Sequence, residues 1–185
     1  MFITLIRHGE VEARYQGRYI GHTDSHLSDF GIKDARQLAD YLKQHHQHRN
    51  FDAFFCSDLT RCKQTLKPIL KNLNLSISPL YTDKLREKSW GKHEAMNYEE
   101  ICQLEKTSFQ NFDQWLNIMD GETKEQFIQR IKLFKQKLSQ SGYENVLIVT
   151  HGGVIRTFIY LFSNLTFEQS FFIPVPYASF IVLKL

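Results

Sequence analysis

The chain has 185 residues, 42% of them hydrophobic and 23% charged, with a formal net charge of +3. That length suits one domain spanning residues 1–185 with a full core, and its interspersed charges give no basic block of the kind that binds nucleic acid or a membrane surface. No stretch approaches the ~20 apolar residues of a bilayer span, and Cys56, Cys62 and Cys102 form no C-x-x-C pair, so a reducing cytoplasm is the expected compartment.

Residues 2–6 read as a short apolar strand ended by Arg7-His8-Gly9. A polar loop through Gly17 and Gly21 follows, up to Ser28, which is expected to cap a helix whose Ile32, Ala35, Leu38, Ala39 and Leu42 keep helical spacing. A second strand, 51–56, ends at Ser57-Asp58, expected to cap the next helix. That helix carries Arg61, Thr65, Ile69 and Leu70, and Pro68 is expected to kink it or limit its regularity. The 77–81 run reads as a third strand, which Pro79 assigns to an edge.

Residues 88–122 are polar and aromatic and lack strand signals. Short helices are predicted near 97–106 and 109–118, making an inserted helical cap over the site. Its Tyr98, Phe109, Phe112 and Trp115 either stack on a ligand ring or pack the cap itself. Thr123 and Gln126 have capping-box spacing, and Phe127, Ile131, Phe134 and Leu138 continue as a core-facing stripe. A strand at 145–150, a helix at 153–162 and a strand at 178–183 finish the chain. This alternation predicts an α/β fold, a three-layer α/β/α sandwich with a mostly parallel central sheet and a small helical cap insertion. His45, His46 and His48 read as a solvated helix end rather than a metal tract.

Two histidines follow apolar strands, His8 after 2–6 and His151 after 146–149. In a parallel sheet the crevice beyond the carboxyl ends of strands is where ligands bind. A nucleophile on phosphorus must be unprotonated near neutral pH, and imidazole meets that condition with little tuning. Gly9 is expected to let the backbone approach a phosphate. Arg7 adds a planar, always charged fork for phosphate oxygens, and Arg61 lies near a helix N-terminus, which itself favours an anion. His151 is expected to donate to the phosphoryl group as charge develops. A metal reading is disfavoured, because no third ligand has a fitting spacing and two arginines would repel the ion. A proton donor for the leaving oxygen is also needed, and Glu10, Glu12, Glu87 and Glu94 are all candidates by chain position.

Five ordered blocks carry a family resemblance: R-H-G-E at 7–10 with G-R-Y-I-G at 17–21, S-D-L-T-R-C-K-Q-T at 57–65, L-R-E-K-S-W-G at 85–91, G-E-T at 121–123 with Arg130, and V-T-H-G-G-V-I-R at 149–156. In them the chain resembles the histidine phosphatase superfamily, with its phosphoglycerate-mutase-like fold, and within it the α-ribazole phosphatase branch. The resemblance implies a phosphohistidine on His8, a phosphate pocket of Arg7, Arg61 and His151, and Glu87 as proton donor. It also implies substrate contacts by Gly21, Gly152 and Arg14, no cofactor and no metal. Arg14 stands where an Asn is common in the family and either takes over its phosphate contact, the preferred expectation, or turns outward and leaves that contact missing, while Val11 and His26 replace the usual Thr or Ser and Pro. The expected activity is hydrolysis of a small phosphorylated metabolite, α-ribazole 5′-phosphate foremost. A phosphoglycerate-mutase-type phosphotransferase and a non-catalytic phosphate-binding module are the alternatives. Dedicated mutases are longer, which favours hydrolysis. A homodimer is compatible with these expectations.

Overall fold

A computed structural model describes residues 1–46, 50–73 and 77–184. Its strands are β1 (Phe2–Arg7), β2 (Ala53–Ser57), β3 (Leu80–Thr82), β4 (Asn145–Thr150) and β5 (Phe180–Lys184). They form one sheet in the order β3-β2-β4-β1-β5. The β3/β2, β2/β4 and β4/β1 pairs are parallel, and β5 lies antiparallel on β1.

The period-2 pattern of the strands builds two cores. Ile3 and Leu5 of β1 and Val146 and Ile148 of β4 face one layer of helices: α5 (Lys124–Ser139), α6 (Gly152–Phe162) and α7 (Phe167–Phe171). Ile6, Phe54, Cys56, Leu147 and Val149 face the other layer, α1 (Asp29–His46) and α2 (Thr60–Asn72). A one-residue slip would turn each strand's apolar set to the wrong layer, and each fully buried Leu, Ile or Phe is worth about 1.5–3 kcal/mol. The register is therefore fixed by side chains on both faces, and the three-layer arrangement follows.

Between β3 and α5 the chain makes α3 (Tyr98–Glu105) and α4 (Phe112–Ile118), with no strand among the described residues of that segment. Trp90, Ile101 and Met119 give it a small core of its own, joined by Tyr19 and Trp115. Capping residues act where the sequence places them in α1 and α5. The Ser28 Oγ accepts from Gly31 N at 3.0 Å, and Thr123 and Gln126 make a reciprocal capping box.

Several local expectations are corrected. Helix α2 is not capped by Ser57-Asp58, because Asp58 is taken by Arg86 in a two-pronged ion pair (2.7 and 2.6 Å). Asp24, from the loop before α1, caps it instead, accepting from Thr60 N and Oγ1 at 2.7 Å each. Pro68 lies inside the helix, which continues to Asn72, with Leu66 and Ile69 on either side buried in the core. Strand β3 begins after Pro79 rather than around it, and is an edge strand as expected. Helix α7 was not anticipated; its five residues are opened by a Thr166–Gln169 capping box. Of the histidine tract, His45 is exposed at the end of α1, whereas His48 and the His46 side chain lie outside the described residues.

Three parallel strands thus end side by side. His8 follows β1, Ser57 closes β2 and His151 follows β4.

Candidate active site

The two imidazoles meet edge to face, with ring centroids 5.1 Å apart, and both are buried. His8 Nδ1 lies 2.8 Å from the Gly9 carbonyl oxygen. A carbonyl can only accept, so Nδ1 carries the proton and Nε2 keeps its lone pair. Burial, followed by the charges of Arg61 and Arg7, holds His8 well below the ordinary histidine pKa, against the opposing pull of the Gly9 carbonyl. Burial and then Arg61 likewise keep His151 well below that value. The Arg61 Nε–H donates to His151 Nδ1 at 3.3 Å, so the neutral His151 ring bears its proton on Nε2, 2.9 Å from Ser57 Oγ.

Arg61 is fully buried at the first turn of α2. Its fork donates to the Thr23 and Gly21 carbonyls at 2.7 and 2.8 Å, and among the described residues no carboxylate lies within 4 Å of it. Placing an uncompensated guanidinium in a protein interior costs several kcal/mol, which an anion bound beside it would offset. Arg7 lies over the Tyr177 ring, 3.9 Å from its centroid, and donates from Nη1 to the Val175 carbonyl. Its Nε–H is buried without an acceptor among the described residues. A buried donor left in that state costs about 1–3 kcal/mol, so this atom too is suited to an acceptor oxygen from a ligand.

Of the four carboxylate candidates, three are otherwise engaged. Glu10 accepts from Ser28 Oγ at 2.6 Å, and Glu12 pairs with Arg14 at 2.7 Å. Glu94 accepts from the backbone N–H groups of Gly21, His22, Thr23 and Trp90, which clips the 17–23 loop to the cap. Glu87 remains at the mouth of the site. Its Oε2 accepts from Gly153 N at 2.8 Å, in the first turn of α6, and its Oε1 from Lys88 N at 3.0 Å. A carboxylate at a helix N-terminus is held by both the free N–H groups and the dipole. Behind it, Arg130 donates to the carbonyls of Lys84, Arg86 and Glu87 and forms a two-pronged pair with Glu122. That clamp explains why the third and fourth sequence blocks occur together.

His8, His151, Arg7, Arg61, Glu87, Gly21 and Gly152 are therefore brought to one region. Arg14 is not: its side chain is 68% exposed, ion-paired with Glu12 and set over the Tyr15 ring. Nothing in the loop directs it inward, since a nearby carboxylate outside the site answers its charge. Gly9 has a further reason to be glycine. A Cβ there would stand 2.6 Å from the Gly31 carbonyl oxygen, so this glycine admits the start of α1. Sequence reasoning missed Ser57 as the anchor of His151, and Tyr177 as the platform for Arg7 and His8. Ser57 was signalled by its place at a strand end, but Tyr177 has no such mark.

Residues 3–185 match the family model described as the histidine phosphatase superfamily, branch 1. The chain belongs to this superfamily. Among curated relatives, an Escherichia coli protein named adenosylcobalamin/alpha-ribazole phosphatase is 31% identical over 166 residues, covering 86% of this chain and 77% of that one. A broad-specificity phosphatase of Saccharomyces cerevisiae is 33% identical over 164 residues, covering 82% of this chain and 66% of its own. The solved alpha-ribazole phosphatase of Shigella flexneri superposes with a TM-score of 0.84 at 28% identity, over all of this chain and 90% of that one. These likenesses carry the histidine phosphatase fold across the whole chain and support a phosphatase activity.

Proposed function

We propose that the protein is a metal-independent phosphomonoesterase that works through a covalent phosphohistidine on His8. The observation that carries this reading is the state of His8: Nδ1 is tied to the Gly9 carbonyl and its pKa is depressed, beside two cations that have no carboxylate partner among the described residues. Phosphoryl transfer needs positioning and charge stabilisation more than covalent help from the protein. Arg7 and Arg61 would hold the nonbridging oxygens. His151 would join them through Nδ1 when protonated, a state that a phosphate dianion favours and that burial and Arg61 oppose in its absence.

In the first half-reaction His8 Nε2 attacks phosphorus and forms a P–N bond as the P–O bond to the leaving alcohol breaks. Glu87 gives its proton to the departing oxygen, since an alkoxide leaves poorly. In the second, water attacks phosphorus while Glu87 takes one of its protons. The P–N bond breaks, and inorganic phosphate leaves with His8 neutral again. The substrate class is a small phosphorylated metabolite, and likeness to alpha-ribazole phosphatases makes α-ribazole 5′-phosphate the first compound to assay. The test is release of inorganic phosphate from a panel of phosphomonoesters. Release is expected with wild type, undiminished by chelator, and reduced at least about 10³-fold in His8→Ala. Retention of the phosphoryl group for transfer to a second alcohol would instead indicate a mutase.

A further inference from the structure

A cavity of about 200 Å³ opens from Glu87 and Gly153 toward the cap. Trp90, Trp115 and Phe171 give it aromatic walls, and Lys88, Lys124 and Arg156 give it three positive charges. Among the described residues Glu87 is the one carboxylate on its lining, and both of its oxygens already accept backbone hydrogen bonds. None of the three cations has a carboxylate within 4 Å among the described residues. Each is instead set against an aromatic ring: Lys88 Nζ is 4.4 Å from the centroid of Trp90, Lys124 Nζ 5.6 Å from Phe167 and Arg156 Cζ 6.0 Å from Phe171.

Lys88 is only 4% exposed, and its ammonium donates to the carbonyls of Ser89 and Asp120. Among the described residues Arg156 donates only from Nε, to the Ile173 carbonyl, and neither of its Nη groups has an acceptor there. The position a Cβ would take at Gly152 lies 3.1 Å from Arg156 Nη1 and 3.5 Å from Arg7 Nε, so Arg156 flanks the phosphate pocket. A phosphoryl group held by Arg7 and Arg61 would therefore have its alcohol portion beside Glu87, facing this cavity. Buried or half-buried charges are ordinarily paired within the protein; three unpaired cations on one cavity suit a ligand that brings the counter-charge.

We infer that this cavity is a leaving-group subsite selecting phosphomonoesters whose alcohol portion carries a second anionic group beside a flat apolar surface. The inference rests on the phosphatase reading and narrows it. The uncharged α-ribazole nucleoside would meet the aromatic walls but leave the cations unanswered.

The test compares benzyl phosphate with 4-carboxybenzyl phosphate, whose methylene insulates the leaving oxygen from the carboxylate. Wild type is expected to favour the carboxylated ester by about tenfold or more in kcat/KM, with the preference shrinking as salt is raised. Arg156→Gln should bring the ratio close to one, and Arg156→Lys, which keeps the charge, should retain most of it. Equal or lower kcat/KM for the carboxylated ester, with phosphate released from both, would overturn the inference and leave the phosphatase reading standing. A preference unchanged in Arg156→Gln would overturn its assignment to this cavity. Release of phosphate from neither ester would overturn the phosphatase reading and the inference with it.

Discussion

A histidine buried between two guanidinium groups has little tendency to hold a second proton. His8 shows this arrangement, and the Gly9 carbonyl decides which of its nitrogens is free. Glu87 is placed by complementary means, with one oxygen on the N-terminus of α6 and the other on its own chain. If it carries the proton of the leaving group, Glu87→Gln should lower kcat/KM for an alkyl phosphate about 10²–10⁴-fold. The loss on p-nitrophenyl phosphate, whose phenolate leaves unaided, should be less than about tenfold. Equal losses on both esters would show that Glu87 is not the acid. At this scale the sequence was informative for side chains that do chemistry and weak for those that orient them. Spacing alone left four carboxylates open, and the partners that set three of them aside, Ser28, Arg14 and the 21–23 backbone, are visible only in three dimensions. For Arg14 residue type left both directions open, toward the phosphate or outward, and Glu12 two positions away holds the guanidinium outside.

At the scale of elements, the starts of α2 and α6 matter most, because one presents Arg61 and the other binds Glu87. A Cβ at Gly153 would stand 2.3 Å from Glu87 Oε1, so Gly153→Ala must push the carboxylate aside. The contact is with the end of a side chain that can move, and Ala favours the helix by about 1 kcal/mol over Gly. Thermal stability should therefore hold while kcat falls on the order of 100-fold, the penalty of misplacing a reacting group by about 1 Å. Stability and rate measured on the same variant check this; a rate unchanged with stability intact would remove Glu87 from the reaction. Elements with period-2 or 3.6-residue patterns were legible, as β1, β4, α1 and α5 illustrate. What was hidden is long-range capping. Asp24 reaches Thr60 across 36 positions of sequence, and Ser57-Asp58 looked like a cap only while Arg86 was not known to lie beside it.

In the whole molecule, the strand order places β4 between β1 and β2, so side chains far apart in sequence end on one edge of the sheet. His8 and His151 become neighbours through the pairing of Arg7 with Thr150 in parallel register. The layered class followed from alternation of strands and helices, and the antiparallel β5 was covered by the expectation of a mostly parallel sheet. The order of strands did not follow from the sequence pattern, because apolar strands buried on both faces carry no mark of their neighbours. The account stands on one chemical event at the convergence of those strand ends. It is tested most directly by incubating the protein with a ³²P-labelled phosphomonoester, quenching in alkaline denaturant and mapping the label. The predicted result is an acid-labile adduct on the peptide bearing His8, absent in His8→Ala and accumulating in Glu87→Gln with p-nitrophenyl phosphate, where the second step lacks its base. Full turnover with no adduct, or with the same adduct in His8→Ala, would contradict it.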